Sequence, residues 1–132
     1  MSNNQSDEFR KLFGHFPTGI TVIGMNNDGQ LSGITANSVT SVSLDPMLLL
    51  VCIAKKAASH NKLKSAGYFS INFLSNKQQD VSQFFASSSN EENPMGDFKY
   101  RLGKNESPII NNVIAYFIFK INKSIVLFNF VF

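Results

Sequence analysis

Thr18-Gly19-Ile20-Thr21-Val22-Ile23-Gly24-Met25-Asn26-Asn27-Asp28-Gly29-Gln30-Leu31-Ser32-Gly33-Ile34-Thr35-Ala36 is the stretch on which the fold turns. Thr18 to Met25 reads as a strand. Asn26-Asn27-Asp28-Gly29 is a strong turn signal, because Asn, Asp and Gly tolerate positive φ. Leu31 to Ala36 then returns as the second arm of a hairpin.

Upstream, Phe9, Leu12, Phe13 and Phe16 fall at the spacing of one helical face, with Ser6 or Asp7 placed to cap that helix. Pro17 stops it. His15 sits just before the stop, where a helix-end role is a simpler reading than catalysis. Downstream comes a polar stretch of small residues, Thr35 to Ser43, and Leu44-Asp45-Pro46 turns the chain into the apolar run Met47 to Ala54. That run suits a strand covered on both faces, although a buried helix would read similarly. Lys55 to His60 is a loop, with Ser59 placed to cap a short helix that ends at Gly67.

Tyr68 to Leu74 alternates, Phe69, Ile71 and Phe73 to one side and Ser70 and Asn72 to the other. Asn76 with Gln79 resembles a capping box, opening a helix with Val81, Phe84 and Phe85 on one face. Ser87 to Pro94 is a loop by composition. Ala115 to Lys123 alternates as a strand, and the tail Ile125 to Phe132 is apolar except for Asn129. Lys120, Asn122 and Lys123 interrupt that region, which argues against a membrane span of ~20 apolar residues. Together these segments predict a β-rich, antiparallel fold closing as a barrel, with short peripheral helices, in a single domain over residues 1–132.

Composition sets the frame. A chain of 132 residues buries roughly two-thirds of its unfolded surface, enough for a core without staples. Hydrophobic content of 43% and charged content of 16% are those of a globular protein rather than a disordered one. Thirteen phenylalanines predict a core dominated by aromatic packing. The net charge of +3 comes without a Lys/Arg stripe, which argues against nucleic acid as partner and suits a small anionic ligand. The one cysteine, Cys52, excludes an internal disulfide or a cysteine cluster for metal, and in its apolar run it reads as a small buried hydrophobe. Met1 to Glu8 is polar and acidic rather than signal-like, so a cytoplasmic location is the default expectation.

No set of residues announces acid–base, nucleophilic or metal chemistry. Only His15 and His60 are available as imidazoles, and no phosphate loop or glycine-rich dinucleotide fingerprint is present. Two stretches remain. Thr35 to Ser43 offers small hydroxyl and amide residues that leave room for a flat ligand, against the simpler reading of a solvated sheet edge. Lys55-Lys56-Ala57-Ala58-Ser59-His60 brings cations, a hydroxyl and a helix start that can hold a phosphate, against an ordinary surface loop.

The order of these segments resembles the flavin reductase-like family. The likeness is carried by Phe9-Arg10 and Phe16 to Val22, by Gly33 to Ser38 with Ser41 to Pro46, and by Lys55 to His60. Gly67 to Leu74 and Phe84-Phe85-Ala86 continue it, so that it covers about Phe9 to Tyr116. The resemblance implies an FMN-binding split barrel, a homodimer, and hydride transfer from NADH or NADPH to FMN or FAD. It further implies that reduced flavin is supplied to a separate monooxygenase component. By resemblance, Thr35, Ala36, Asn37 and Ser38 border the isoalloxazine ring, with Ser41, Val42 and Ser43 nearby. Lys55, Ser59 and His60 approach the phosphate, and Phe85 lies near the pocket. No side chain is implied as a catalytic acid or base, because hydride transfer is the cofactor's own chemistry.

The resemblance also marks a departure. The family continues past the Ala115-to-Lys123 strand with a Gly-Asp-His segment and further strands, whereas here no histidine follows His60. The corresponding expectation is a truncated or altered C-terminus, weaker flavin binding and impaired NAD(P)H turnover. The alternative function is then a flavin-binding protein without reductase activity. A split-barrel relative carrying haem is disfavoured by the two histidines. An unpaired sheet edge and an apolar tail would also favour aggregation.

Overall fold

A computed structural model describes residues 3–87 and 92–122. The hairpin forms as the sequence predicts, except that its first strand starts at Thr21 rather than Thr18 and runs through Asn26 and Asn27, leaving Asp28 and Gly29 as the turn. Strands β1 (Thr21–Asn27) and β2 (Gln30–Ala36) pair antiparallel, with Thr21 opposite Ala36 and Asn27 opposite Gln30. Asp28 and Gly29 both take positive φ, 52° and 91°, the two-residue turn whose twist matches the strands. The Gly29 N–H donates to Asn26 Oδ1 at 2.8 Å and closes it.

Around this hairpin a four-stranded antiparallel sheet forms in the order β2-β1-β5-β8, with β5 at Tyr68–Phe73 and β8 at Ala115–Lys120. Strands β3 (Val39–Leu44) and β4 (Met47–Val51) make a second hairpin, and β6 (Tyr100–Leu102) with β7 (Pro108–Ile110) a third. Among the described residues three helices flank them: α1 (Asn3–Gly14), α2 (Ser59–Ala66) and α3 (Gln79–Ala86).

The sheet is covered on both faces. One face packs Ile23, Met25, Ala36, Phe69 and Ile71 against Leu63 and Ala66 of α2 and against Leu49 and Val51 of β4. The other packs Val22 and Ile110 against Val81 and Phe85 of α3, with Met95 between. Because β5 is central, its polar alternate residues are also interior: Ser70 and Asn72 are both 0% exposed. They survive there because they are bonded. Asn72 Nδ2 donates to Val22 O at 3.1 Å, Asn72 Oδ1 accepts from Ile110 N–H at 2.9 Å, and Ser70 Oγ donates to Pro108 O.

Several local expectations need correction. Ser6 and Asp7 lie inside α1, which starts a turn earlier, at Asn3. Ser59 is the first residue of α2, not its cap, and no side chain caps that helix. Asn76 does not cap α3 either. Gln78 occupies that place and spends its amide on loops, accepting from Ser75 N–H at 3.0 Å and donating to Asn111 O at 2.9 Å. Met47 to Val51 is a strand but is not covered on both faces, since its hairpin stands outside the main sheet and only Leu49 and Val51 reach the core. Cys52, at the end of that run, is exposed rather than buried. Aromatic packing does not dominate the core. Among the described phenylalanines only Phe69 and Phe85 are buried, and the apolar face of α1 is open to solvent. The end of the last predicted strand at Lys123, the tail Ile125 to Phe132, and Ser88 to Glu91 of the loop lie outside the described residues. Among the described residues no helix is long and apolar enough to cross a membrane.

Candidate functional site

Strand β2 is at the end of the sheet, so its outer edge is paired with no described strand. Two clefts run along that edge. The first, of about 220 Å³, is lined by Ile34 to Ser38 on one side and by Cys52, Ile53, Ala54 and Ala57 on the other. The second, of about 190 Å³, passes between the start of α2 and the end of α3, with Ser32, Ser59, Lys62, Phe84 and Ser87 among its walls. Ile34 and Ala57 belong to both, so the clefts are contiguous.

The polar stretch Thr35 to Ser43 is therefore both a sheet edge and a cleft wall. Thr35 and Ala36 end β2, Asn37 and Ser38 cross over exposed, and the chain re-enters as β3. The crossing is fixed at both ends, because Thr21 Oγ1 donates to Ala36 O at 2.7 Å and Cys52 N–H donates to Ser38 O at 3.0 Å. Thr35 is less available than its residue type suggests. Its hydroxyl donates to Ser82 O of α3 at 2.7 Å, leaving a ligand only its lone pairs.

The remaining residues singled out in the sequence divide. Ser59 and Phe85 line the second cleft, Phe85 from beneath as a buried ring. Ser41, Val42 and Ser43 sit on β3, where the pairing with β4 slips between Ser41 and Ser43, and they line neither cleft. Lys55 and His60 also lie outside both linings, although they flank residues that are within them. Among the lining residues, Ser32, Lys62 and Cys52 carried no functional signal in the sequence: Ser32 looks like an ordinary strand position, Lys62 like a solvated helix residue, and Cys52 like core. The alternation of β2 was the one clue, since it places Ser32, Ile34 and Ala36 together on the α2 face.

Small side chains, an open strand edge and a basic helix start suit a flat ligand bearing an anionic group. Among the described residues no cluster of His, Cys, Asp or Glu is placed to hold a metal ion.

This arrangement belongs to a known class. The sequence pattern of the Flavin reductase like domain matches residues 13–125, and the chain belongs to that family. It is 47% identical over 109 residues to a probable flavin reductase of Rhizobium meliloti, covering 82% of this chain and 34% of that one. It is 41% identical over 115 residues to the reductase component of a flavin-dependent trigonelline monooxygenase of Acinetobacter baylyi, covering 86% of this chain and 36% of that one. The chain thus spans about a third of the length of these two relatives. Among solved structures, the NADH:FAD oxidoreductase SgcE6 of Streptomyces globisporus C-1027 superposes with a TM-score of 0.85 at 31% identity, over 93% of this chain and 74% of that one. The β-rich, antiparallel split-barrel fold expected from the sequence is the fold of these neighbours.

Proposed function

We propose that this chain is an NAD(P)H-dependent flavin reductase, built as a single domain, that reduces FMN or FAD and supplies the reduced flavin to a separate monooxygenase. The observation that carries this reading is the pair of contiguous clefts on the open edge of β2, in a member of the flavin reductase family. The names of the relatives support it, since one is a monooxygenase reductase component and another an NADH:FAD oxidoreductase.

A bound flavin would itself supply the hydride-accepting chemistry, so the chain needs no acid–base pair. Its residues bind and orient. Thr35, Ala36, Asn37 and Ser38 border the ring in the first cleft, and Ser41, Val42 and Ser43 stand nearby on β3, outside the cleft lining itself. Ser59 reaches the phosphate end, and the loop from Lys55 to His60 adds positive charge around it. Phe85 supports the cleft from below. Holding two rings in contact supplies several kcal/mol through orientation alone.

Self-association as a homodimer is part of this reading. It is supported by exposed apolar residues on the second hairpin, where Leu44 is 84% and Met47 72% exposed. A cytoplasmic location completes it.

Purified chain is mixed with FMN or FAD and then with NADH or NADPH, and loss of nicotinamide absorbance is followed. Flavin-dependent loss supports the reductase. Flavin uptake with no turnover reduces the reading to a flavin-binding protein, and folded chain that takes up no flavin refutes it.

A further inference from the structure

Thr21 is 2% exposed and lines neither cleft, yet it carries a hydroxyl into an apolar setting. Alternation along β1 puts it on the face that also bears Ile23 and Met25, which cluster with Ala36, Phe69 and Ile71. Valine would fill the same space there without bringing a polar atom into the interior. What the hydroxyl adds is one bond, from Thr21 Oγ1 to Ala36 O at 2.7 Å.

That carbonyl belongs to the last residue of β2, and the register fixes its direction. Asn27 and Gln30 close the two-residue turn, so every second pair, down to Thr21 and Ala36, exchanges backbone hydrogen bonds. The Ala36 carbonyl therefore faces β1. In a trans peptide the N–H lies opposite the C=O, so the Asn37 N–H faces away from β1, toward the open side of β2. The ladder ends at Ala36, and Ala36, Asn37 and Ser38 all line the first cleft. Asn37 and Ser38 are exposed, whereas the hydroxyl that holds the start of this crossing is buried on a central strand. A second donor on the Ala36 carbonyl also polarises the peptide, which strengthens its N–H as a donor.

We propose that Thr21 is a positioning residue for flavin: its hydroxyl fixes the Ala36–Asn37 peptide so that the Asn37 N–H is presented to the ring in the first cleft. The proposal rests on the flavin reading above and concerns the ring alone, so riboflavin and FMN should respond equally.

Affinity of the full chain for riboflavin and FMN, read by quenching of flavin fluorescence, is compared with the melting temperature of the flavin-free chain in three variants. Thr21→Val deletes the donor and keeps the volume, and Ala36 O retains its place in the ladder. It is expected to weaken both flavins about fivefold, within the range of one neutral hydrogen bond, and to melt close to the wild type. Thr21→Ser keeps the donor and loses a buried methyl, so it melts lower yet binds both flavins as the wild type does. Thr21→Ala shows both losses. Should Thr21→Val not fold, Thr21→Ala against Thr21→Ser carries the test, because these two differ by the hydroxyl alone and Thr21→Ala is expected to bind about fivefold more weakly. Flavin affinity that merely follows the melting temperature overturns the proposal. So do equal affinities in Thr21→Ser and Thr21→Ala, an unchanged affinity in Thr21→Val, or a loss greater for FMN than for riboflavin. In each of those cases the flavin reading survives. If the folded wild-type chain binds neither flavin, both fall.

Discussion

The ring of Phe85 lies so close to Gly33 that a Cβ on the glycine would stand 2.7 Å from two of its carbons and 3.2 Å from Val22 Cγ1. A bare backbone at this point of β2 is what lets α3 pack against the sheet beneath the second cleft. Phe85 is 4% exposed and clustered with Val81, Met95 and Ile110, so it can move only by disturbing that packing. Gly33→Ala is therefore expected to destabilise the chain by about 1–3 kcal/mol, the usual cost of overpacking. Urea denaturation reads this directly. Adding Phe85→Leu should recover part of the loss, with a coupling of about 0.5–3 kcal/mol between the two positions. Strict additivity would mean that the contact is not the cause.

Asn72 ties β7 to the main sheet. It accepts from Ile110 N–H on one side and donates to Val22 O on the other, fully buried. Asn72→Ala leaves the Ile110 N–H unsatisfied in the interior, while Val22 O keeps its place in the β1–β5 ladder, which should cost on the order of 1–3 kcal/mol. Amide exchange gives the sharper readout. Ile109 and Ile110 should lose protection before Val22 to Met25 do, because only β7 depends on this side chain for its attachment. Uniform loss across the chain would contradict that assignment.

The difference between Asp28-Gly29 and Asn72 shows what the sequence made legible. The turn and its strands could be read because positive φ and alternation are local properties, and the segments of the flavin reductase family follow in order. Burial could not be read this way. Ser70 and Asn72 alternate with apolar residues exactly as a solvated face would, and only the central place of β5 makes them interior. Met47 to Val51 erred in the opposite direction, because an apolar run does not reveal that its hairpin stands outside the sheet. In the candidate site, Thr35 to Ser38 announced themselves by composition. Ser32 and Lys62 did not, since their places in the second cleft depend on which helix packs over which strand.

The second hairpin offers a test of self-association. Leu44 and Met47 face each other across its turn and are among the most exposed large apolar residues described. Sedimentation should give a dimer for the wild type, and Leu44→Glu with Met47→Glu should shift it toward monomer without lowering the helix or strand signal in circular dichroism. A wild-type monomer at all concentrations would remove the homodimer from the proposed function.

Cys52 provides the most direct test of where the ring sits. It is the sole cysteine of the chain, exposed, and part of the lining of the first cleft opposite Asn37 and Ser38. Any thiol signal therefore reports on this one position. A chromogenic disulfide reagent should modify the free chain readily, and FMN should protect it. At FMN ~100-fold above its dissociation constant, about one site in a hundred is free, so the reaction should slow by up to ~100-fold. Cys52→Ser abolishes the signal while keeping FMN binding, because a hydroxyl of similar size leaves the cleft open. An unchanged thiol reaction rate, with fluorescence showing that FMN is bound, would place the ring elsewhere and remove Thr35 to Ser38 from the site.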